Sequence, residues 1–498
     1  MSPADSEEPL TPLEEYLFFE DRQAYPWSFF VRLGFAGRAD REACQAALRA
    51  SVARHPLLSS VVHRRSSGAL TWRRVENPMP AVRWSAQAAP ETYPPATRLD
   101  VMQEIGVRLH GAVGPDQTRL ILQFHHACCD GRGALAFIED LLAEYARATG
   151  SAIESQERNT VFAKSEPGRV GPEKPGRHAP APKNEQDIVS LRRNKRLTRM
   201  AGFHNGRQGP APRGPRAPGL GRPVAALRAR LVGLGRACRF LAQSPDPLVD
   251  YRPARDDDPT PEGFPAARSF RFDEATTSAI RSAAGELGVT VNDLLCRDLF
   301  LAVSRFHREA RPGGRDACVR ILVPVDLRAR GQRDMPVKNQ VGLVFFTRRA
   351  AACNDPVALL RGLHREMRRV KTWGLGNTFL WSLKVRKHLP GGLARAVRSA
   401  QCRATAALTN IGEVFRESSL PRRGARLLAG GLVLDAVDFL APIRPLTCAS
   451  LAVCTYAGRL SVGLQHDPLA LSETAADRLF DGFLSQVQSS LPEVGRER

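Results

Sequence analysis

At 498 residues, 43% hydrophobic and 25% charged, the chain has the balance of a soluble globular protein with room for two or three cores. No apolar run approaches the ~18 residues of a membrane span, and the acidic start MSPADSEEPLTPLEEY lacks the basic-then-apolar order of a secretion signal, so a cytoplasmic protein is expected. The net charge of +21 is uneven: residues 161–240 hold 18 Lys and Arg against 4 Asp and Glu, a net +14, and the rest is only mildly basic.

Taken in chain order, residues 27–33 (WSFFVRL) read as a strand, and residues 41–54 carry Cys44, Ala47, Leu48 and Val52 at helical spacing. His55-Pro56 ends that helix, and extended backbone is expected over 57–62. Residues 120–124 (LILQF) read as a buried strand. Ala134, Leu135, Phe137, Ile138, Leu141, Leu142 and Tyr145 then fall at helical steps, predicting a helix to about residue 148. From 151 to 262 the composition turns polar, basic and rich in proline, as in a linker or insertion. Within it, Val224, Leu227, Leu231, Leu234, Cys238 and Leu241 mark a basic amphipathic helix over 224–241. That helix suits either the protein's own surface or a peripheral contact with an anionic membrane.

Order resumes with a strand at 268–272, a helix from Asp273 to about 287, and a second helix over 291–305 opened by a Thr290/Asp293 capping box. Strands are expected at 318–325 and 341–347, helices at 356–370 and 378–388, and strands at 405–408 and 432–439. A hairpin over Ala457-Gly458 (450–456 and 459–464) and a helix at 472–491 close the chain. Three divisions follow: an N-terminal subdomain, 1–150; a basic insertion, 151–262; and a C-terminal subdomain, 263–498.

Between the strand at 120–124 and its helix lies His125-His126-Ala127-Cys128-Cys129-Asp130-Gly131, an HHxxxDG pattern on a strand-to-helix turn. A neutral imidazole near pH 7 removes a proton from a hydroxyl or amine as a bond forms. We assign His126 as that base, since the fixed spacing to Asp130 runs from it, and His125 as a buried support of the loop. Asp130 either orients the ring as a third member of a triad or pairs with an arginine. Gly131 permits a tight turn or a close ligand approach. Cys128 and Cys129 read as small buried thiols rather than nucleophiles. The ten cysteines show no CxxC spacing or paired framework, so neither a metal nor structural disulfides are expected.

HHACCDG and the order of elements around it resemble the chloramphenicol acetyltransferase-like superfamily, which includes condensation domains, alcohol acetyltransferases, polyketide-associated acyltransferases and wax ester synthases. Further likenesses are Arg54-His55-Pro56-Leu57-Leu58, Thr290-Val291-Asn292-Asp293, Val323-Pro324-Val325-Asp326-Leu327-Arg328 followed by Asn339 and Gly342, Thr409-Asn410-Ile411-Gly412, and Gln465-His466-Asp467-Pro468. The DFGWG and NVPGP segments of some branches are absent. The resemblance implies an α/β (α+β) fold of two similar subdomains meeting along a V-shaped cleft, with the active histidine midway in a tunnel. It maps His126 onto the catalytic base and Asp130 onto a structural acid paired with Arg328. Thr409 and Asn410 would face His126 and steady an oxyanion.

The function expected is acyl transfer from a coenzyme A or carrier-protein thioester to a small alcohol or amine, by a monomer with no bound cofactor. Alternatives are a freestanding peptide-condensation catalyst and a non-catalytic binding protein that retains the fold. Nucleic-acid binding is not expected, because residues 161–240 contain only Phe162, Phe203 and Phe240 as aromatics.

Overall fold

A computed structural model describes residues 7–85, 93–94, 98–150, 235, 240, 243–328, 338–398 and 401–491. These all belong to one compact unit, built from residues 1–153 and 227–498. Most of residues 151–242 of the expected insertion, including most of the helix expected at 224–241, lie outside the described residues, whereas residues 243–262 belong with the folded part, Leu248 being buried in the second half's core.

The first helix, α1 (Pro12–Glu20), starts on a capping box in which Thr11 and Glu14 satisfy each other's backbone N–H, with Pro12 in the first turn. Strand β1 (Ser28–Ala36) and helix α2 (Arg41–Arg54) follow, the latter capped by Asp40. Residues Pro56–Ser59 form a 3-10 turn where extended backbone is expected from 57, and Ser60–Arg64 is the extended strand. Proline sets a helical φ in that turn, and the N–H groups of Leu58 and Ser59 both reach the His55 carbonyl at 3.0 Å. Then come β2 (Ala81–Ser85), β3 (Val107–Val113), β4 (Gln117–His125) and α3 (Gly131–Ala148).

The second half runs β5 (Ala266–Arg271), α4 (Glu274–Glu286), α5 (Val291–Ala310), β6 (Cys318–Asp326), β7 (Val341–Arg349), α6 (Pro356–Thr372), α7 (Asn377–Lys387) and α8 (Gly392–Val397). It continues with β8 (Ala406–Glu413), β9 (Arg422–Arg423), β10 (Arg426–Ala429), β11 (Leu432–Leu440), β12 (Ala449–Tyr456), β13 (Arg459–His466) and α9 (Glu473–Ser489). Helix α5 begins on the Thr290/Asp293 capping box read from the sequence.

The strands make a mixed α/β fold with two large sheets, one of seven strands in the order β9-β10-β11-β1-β4-β3-β2 and one of six in the order β7-β6-β8-β12-β13-β5. The division at 263–498 needs correction on this point. Strands β9 to β11 leave the second half and complete the first sheet, β11 pairing antiparallel with β1 from Val433↔Ala36 to Leu440↔Phe30. β11 is buried along most of its length, so it needs cover on both faces, and β1 offers it a free edge.

The two sheets lock together where β11 passes β13. A β carbon at Gly463 would lie 2.2 Å from the Phe439 carbonyl oxygen, so only glycine fits there. Beside it the buried Asp438 carboxylate takes Arg32 from β1 and Arg271 from β5. Removing one member of such a buried set leaves an uncompensated charge, which is why its parts must come together as a group.

Candidate active site

The HHxxxDG turn hangs between the end of β4 and the start of α3. The His125 N–H donates to the Gly106 carbonyl at 3.0 Å, and the His126 N–H to the Trp27 carbonyl at 3.0 Å. His125 is fully buried; its Nδ1 accepts from the Ala127 N–H at 3.1 Å, and its Nε2 lies 3.6 Å from Asp21. Its ring is thus used up inside the loop, whereas the His126 ring lies against Phe29 and Trp27, with centroids 5.2 and 6.3 Å away.

Asp130 decides between the two readings left open by the sequence. Its carboxylate caps α3 by accepting from the Gly133 N–H at 2.9 Å. It also takes two hydrogen bonds from the Arg328 guanidinium, at 2.9 and 3.0 Å, and one from the Gln340 N–H at 2.9 Å. Among the described residues, none of its hydrogen bonds goes to the His126 ring. The acid therefore clamps the turn to the second sheet, through a two-pronged pair of the strong, planar kind. Asn339 closes the clamp, its amide donating to the carbonyls of His126 and Ala127 at 2.9 and 2.8 Å.

Gly131 is packed close against the second sheet. Its φ is not left-handed, and a β carbon there would come within 2.8 Å of Ile411 Cδ1. Glycine lets β8 approach the start of α3. Cys128 and Cys129 are both fully buried, and burial pushes both thiols well up, which removes them as thiolate nucleophiles.

His126 faces a cavity of about 750 Å³ walled by both sheets and by α1, α6 and α7. Leu13, Tyr16 and Leu17 come from α1, Thr409, Asn410 and Ile411 from β8, and Phe379 and Leu383 from α7. Asp130, Gly131 and Arg328 also reach its wall. The Asn410 carboxamide oxygen accepts from the Gly412 N–H at 2.9 Å, leaving its NH2 group to offer. Phe240 lines the cavity too and packs on Phe345 at a centroid distance of 4.7 Å.

Burial lowers the His126 pKa below the ordinary imidazole value, because a charged ring would be poorly solvated. The carboxylate of Asp130 pulls the other way without reversing the shift, and His125 adds to the lowering. The ring is neutral at pH 7 and has the form a proton acceptor requires.

Three parts of the site escaped the sequence reading. Helix α1 was passed over as an acidic tail, although Thr11-Pro12 and Glu14 carry a helix-start pattern. Trp27 and Phe29 lay in a recognised strand, but only pairing of β1 with β4, Phe29 opposite Phe124, puts them beside His126. Asn339 was noticed as part of a segment, with no signal in the sequence that its amide holds the His126 loop.

Among the described residues no three His, Cys, Asp or Glu side chains are grouped to hold a metal, and no helix is long and apolar enough to cross a membrane. Residues 261–465 match the family model for the phthiocerol/phthiodiolone dimycocerosyl transferase C-terminus. A search of curated proteins by sequence returns no match. Among solved structures, the first condensation domain of the CDA synthetase is similar over 98% of this chain and 96% of that one, at 15% identity and a TM-score of 0.62. Polyketide synthase associated protein 5 from Mycobacterium tuberculosis is similar over 99% of this chain and 100% of that one, at 16% identity and a TM-score of 0.56. The starter condensation domain of rhizomide synthetase, solved with C8-CoA, is similar over 97% and 94%, at 12% identity and a TM-score of 0.59. With two sheets joined at a histidine-lined cavity, the chain has the fold of the condensation domains, and within it residues 261–465 carry the likeness to the transferase C-terminus.

Proposed function

We propose that the protein is an acyltransferase that moves an acyl group from a thioester of coenzyme A, or of a carrier protein, to an alcohol or amine. The neutral His126 imidazole takes the proton of the acceptor hydroxyl or amine as its oxygen or nitrogen attacks the thioester carbonyl. A carbon–oxygen or carbon–nitrogen bond forms, and the carbonyl oxygen carries negative charge in the tetrahedral intermediate. The Thr409 hydroxyl and the Asn410 NH2 group are the donors nearest in role to that charge. The carbon–sulfur bond then breaks, and the thiolate leaves with the proton held by His126. No metal or bound cofactor takes part in this scheme, and the protein acts as a monomer.

One observation supports the reading most: His125 is bonded within the loop and Asp130 is held by Arg328, while the His126 ring lines the shared cavity. The apolar walls from α1 and α7 suit an acyl chain. Incubating the full chain with a panel of acyl-CoA donors and mixed alcohols and amines, and reading products by mass spectrometry, tests it. Ester or amide formed by the native protein and lost in His126→Ala is the expected result; equal product from both removes His126 as the base. A freestanding condensation catalyst is the second reading, favoured by the likeness to condensation domains over nearly the whole chain. An aminoacyl thioester that outcompetes free amines as acceptor would select it. Donor binding without any product would leave a non-catalytic binding protein.

A further inference from the structure

Helix α7 has two unlike faces. Thr378, Phe379, Ser382, Leu383 and Arg386 look into the cavity that holds His126. On the far side Trp381 is 66% exposed, Val385 43% and Leu389, just past the helix, 55%. Steps of four keep these three on one stripe. The other exposed large apolar side chains among the described residues, such as Met79, Phe270 and Leu469, fall singly along the chain. Single exposed apolar residues need no explanation, but an aligned group containing a tryptophan does.

The charge around this stripe has one sign. No Asp or Glu occurs between Glu366 and Glu413, while Lys384, Arg386, Lys387, His388, Arg395 and Arg398 surround the stripe in sequence. Lys387 is paired with Glu15 at 2.6 Å, and Arg398 lies 4.0 Å from Asp256. Lys384 and Arg395 have no ion pair among the described residues. An apolar stripe with a tryptophan, flanked by cations and in a segment that holds no acid of its own, fits one kind of partner: tryptophan settles at the headgroup level, leucine and valine enter the acyl boundary, and the cations meet anionic headgroups.

We propose that the outer face of α7 docks on an anionic lipid bilayer surface, with Trp381, Val385 and Leu389 inserted and Lys384 and Arg395 on the headgroups. The contact itself does not depend on the acyl-transfer reading. Its use does: because the inner face of the same helix walls the cavity, docking would bring a membrane-held substrate to the cavity's edge.

The test is cosedimentation of the full chain with phosphatidylcholine vesicles, with and without phosphatidylglycerol, at low and moderate salt. Binding to the phosphatidylglycerol vesicles is expected. A Trp381→Ser/Leu389→Ser double variant should lower the partition coefficient about tenfold or more, since two exposed apolar side chains lose their burial. Lys384→Glu with Arg395→Glu should weaken binding at low salt more than at moderate salt. The substituted side chains are exposed, so folding by circular dichroism and transfer to soluble short-chain substrates should not change. Binding unaltered in the Trp381/Leu389 variant would place the contact in the +14 segment 161–240 and overturn the proposal. So would failure of the native chain to bind either vesicle, or a concentration-dependent dimer, seen by sedimentation and lost in the variant, without vesicle binding.

Discussion

The two sheets contribute to the cavity in opposite ways. The seven-stranded sheet delivers its site residues in one contiguous turn, His126 to Asp130, at the end of β4. The six-stranded sheet delivers Arg328 after β6, Asn339 and Gln340 before β7, and Thr409 and Asn410 on β8, which are far apart in the chain. The first side holds a group with a free ring facing the cavity; the second holds donors that are mostly committed to the first side's loop. In the proposed mechanism reactivity is local and positioning is distributed, so changes on the two sides should fail differently.

The largest effect is expected on the first side. His126→Ala should lower kcat/KM for acyl transfer by about 10²–10⁴-fold, the range for a lost general base. Its thermal unfolding should be nearly unchanged, because the hydrogen bonds that tie the turn to the second sheet run through the Asp130 carboxylate and the His126 and Ala127 carbonyls. A similar loss of activity and of Tm would make His126 a packing residue and break the contrast between the sheets.

For the clamp that joins the two sides the reverse is expected. Asp130→Asn removes the carboxylate that Arg328 grips and should cost about 3 kcal/mol of stability, the low end for splitting a buried pair, because Arg328 is partly exposed. Activity should fall with it as the turn loosens. A double-mutant cycle with Arg328→Met sharpens the point: a coupling of about 1–3 kcal/mol is expected for groups in direct contact, and additive effects would show that the pair does not act as a clamp.

Gly342→Ala probes positioning without touching a charge. Its β carbon would sit 2.4 Å from the Gly376 carbonyl oxygen, so β7 and the start of α7 must move apart. A loss of about 1–3 kcal/mol in chemical denaturation is expected from such overpacking. Full stability would mean that this part of the cavity wall yields easily.

A smaller effect should appear in the pH profile. The lowered His126 pKa keeps the ring in its neutral, proton-accepting form to more acid pH than a free imidazole. Accordingly kcat/KM should fall as pH drops through a midpoint below about 6.5, the ordinary value, and the protonated ring should be inactive. Asp130→Asn removes a charge that favours the protonated ring, so the midpoint should move lower still. A midpoint at or above the ordinary value would show that the ring is better solvated than its surroundings imply. The smallest effect, close to none, is expected from deleting about 165–220: that segment holds none of the motif residues matched in the sequence, and transfer kinetics with soluble substrates should persist.

Legibility followed the range of the physical signal. The helix at Gly131–Ala148 could be read because its apolar residues repeat every three or four positions and because Asp130 caps it, both features of adjacent sequence. The hairpin of β12 and β13 was equally local, turning on Ala457-Gly458. The pairing of Asp130 with Arg328, 198 residues apart, came from resemblance; the extra bonds to Gln340 N–H and from Asn339 came from neither resemblance nor pattern. Strand β11 was recognised as a strand, but nothing in LVLDAVDFL says which sheet it joins, since a strand buried on both faces fits either.

The sequence by itself determined most of the long helices and strands, their order, and the HHxxxDG turn on which the candidate site is built, since helix caps, apolar periodicity and that turn all act within a few residues. Tertiary structure alone decided that β11 crosses into the first sheet, that Asp130 spends its carboxylate on the clamp instead of the imidazole, and that Gly131 and Gly342 are glycines because another segment's atoms lie where a β carbon would be. Each of these depends on surfaces brought together from distant parts of the chain, where packing and the need to satisfy every buried charge choose among pairings that local sequence leaves equal.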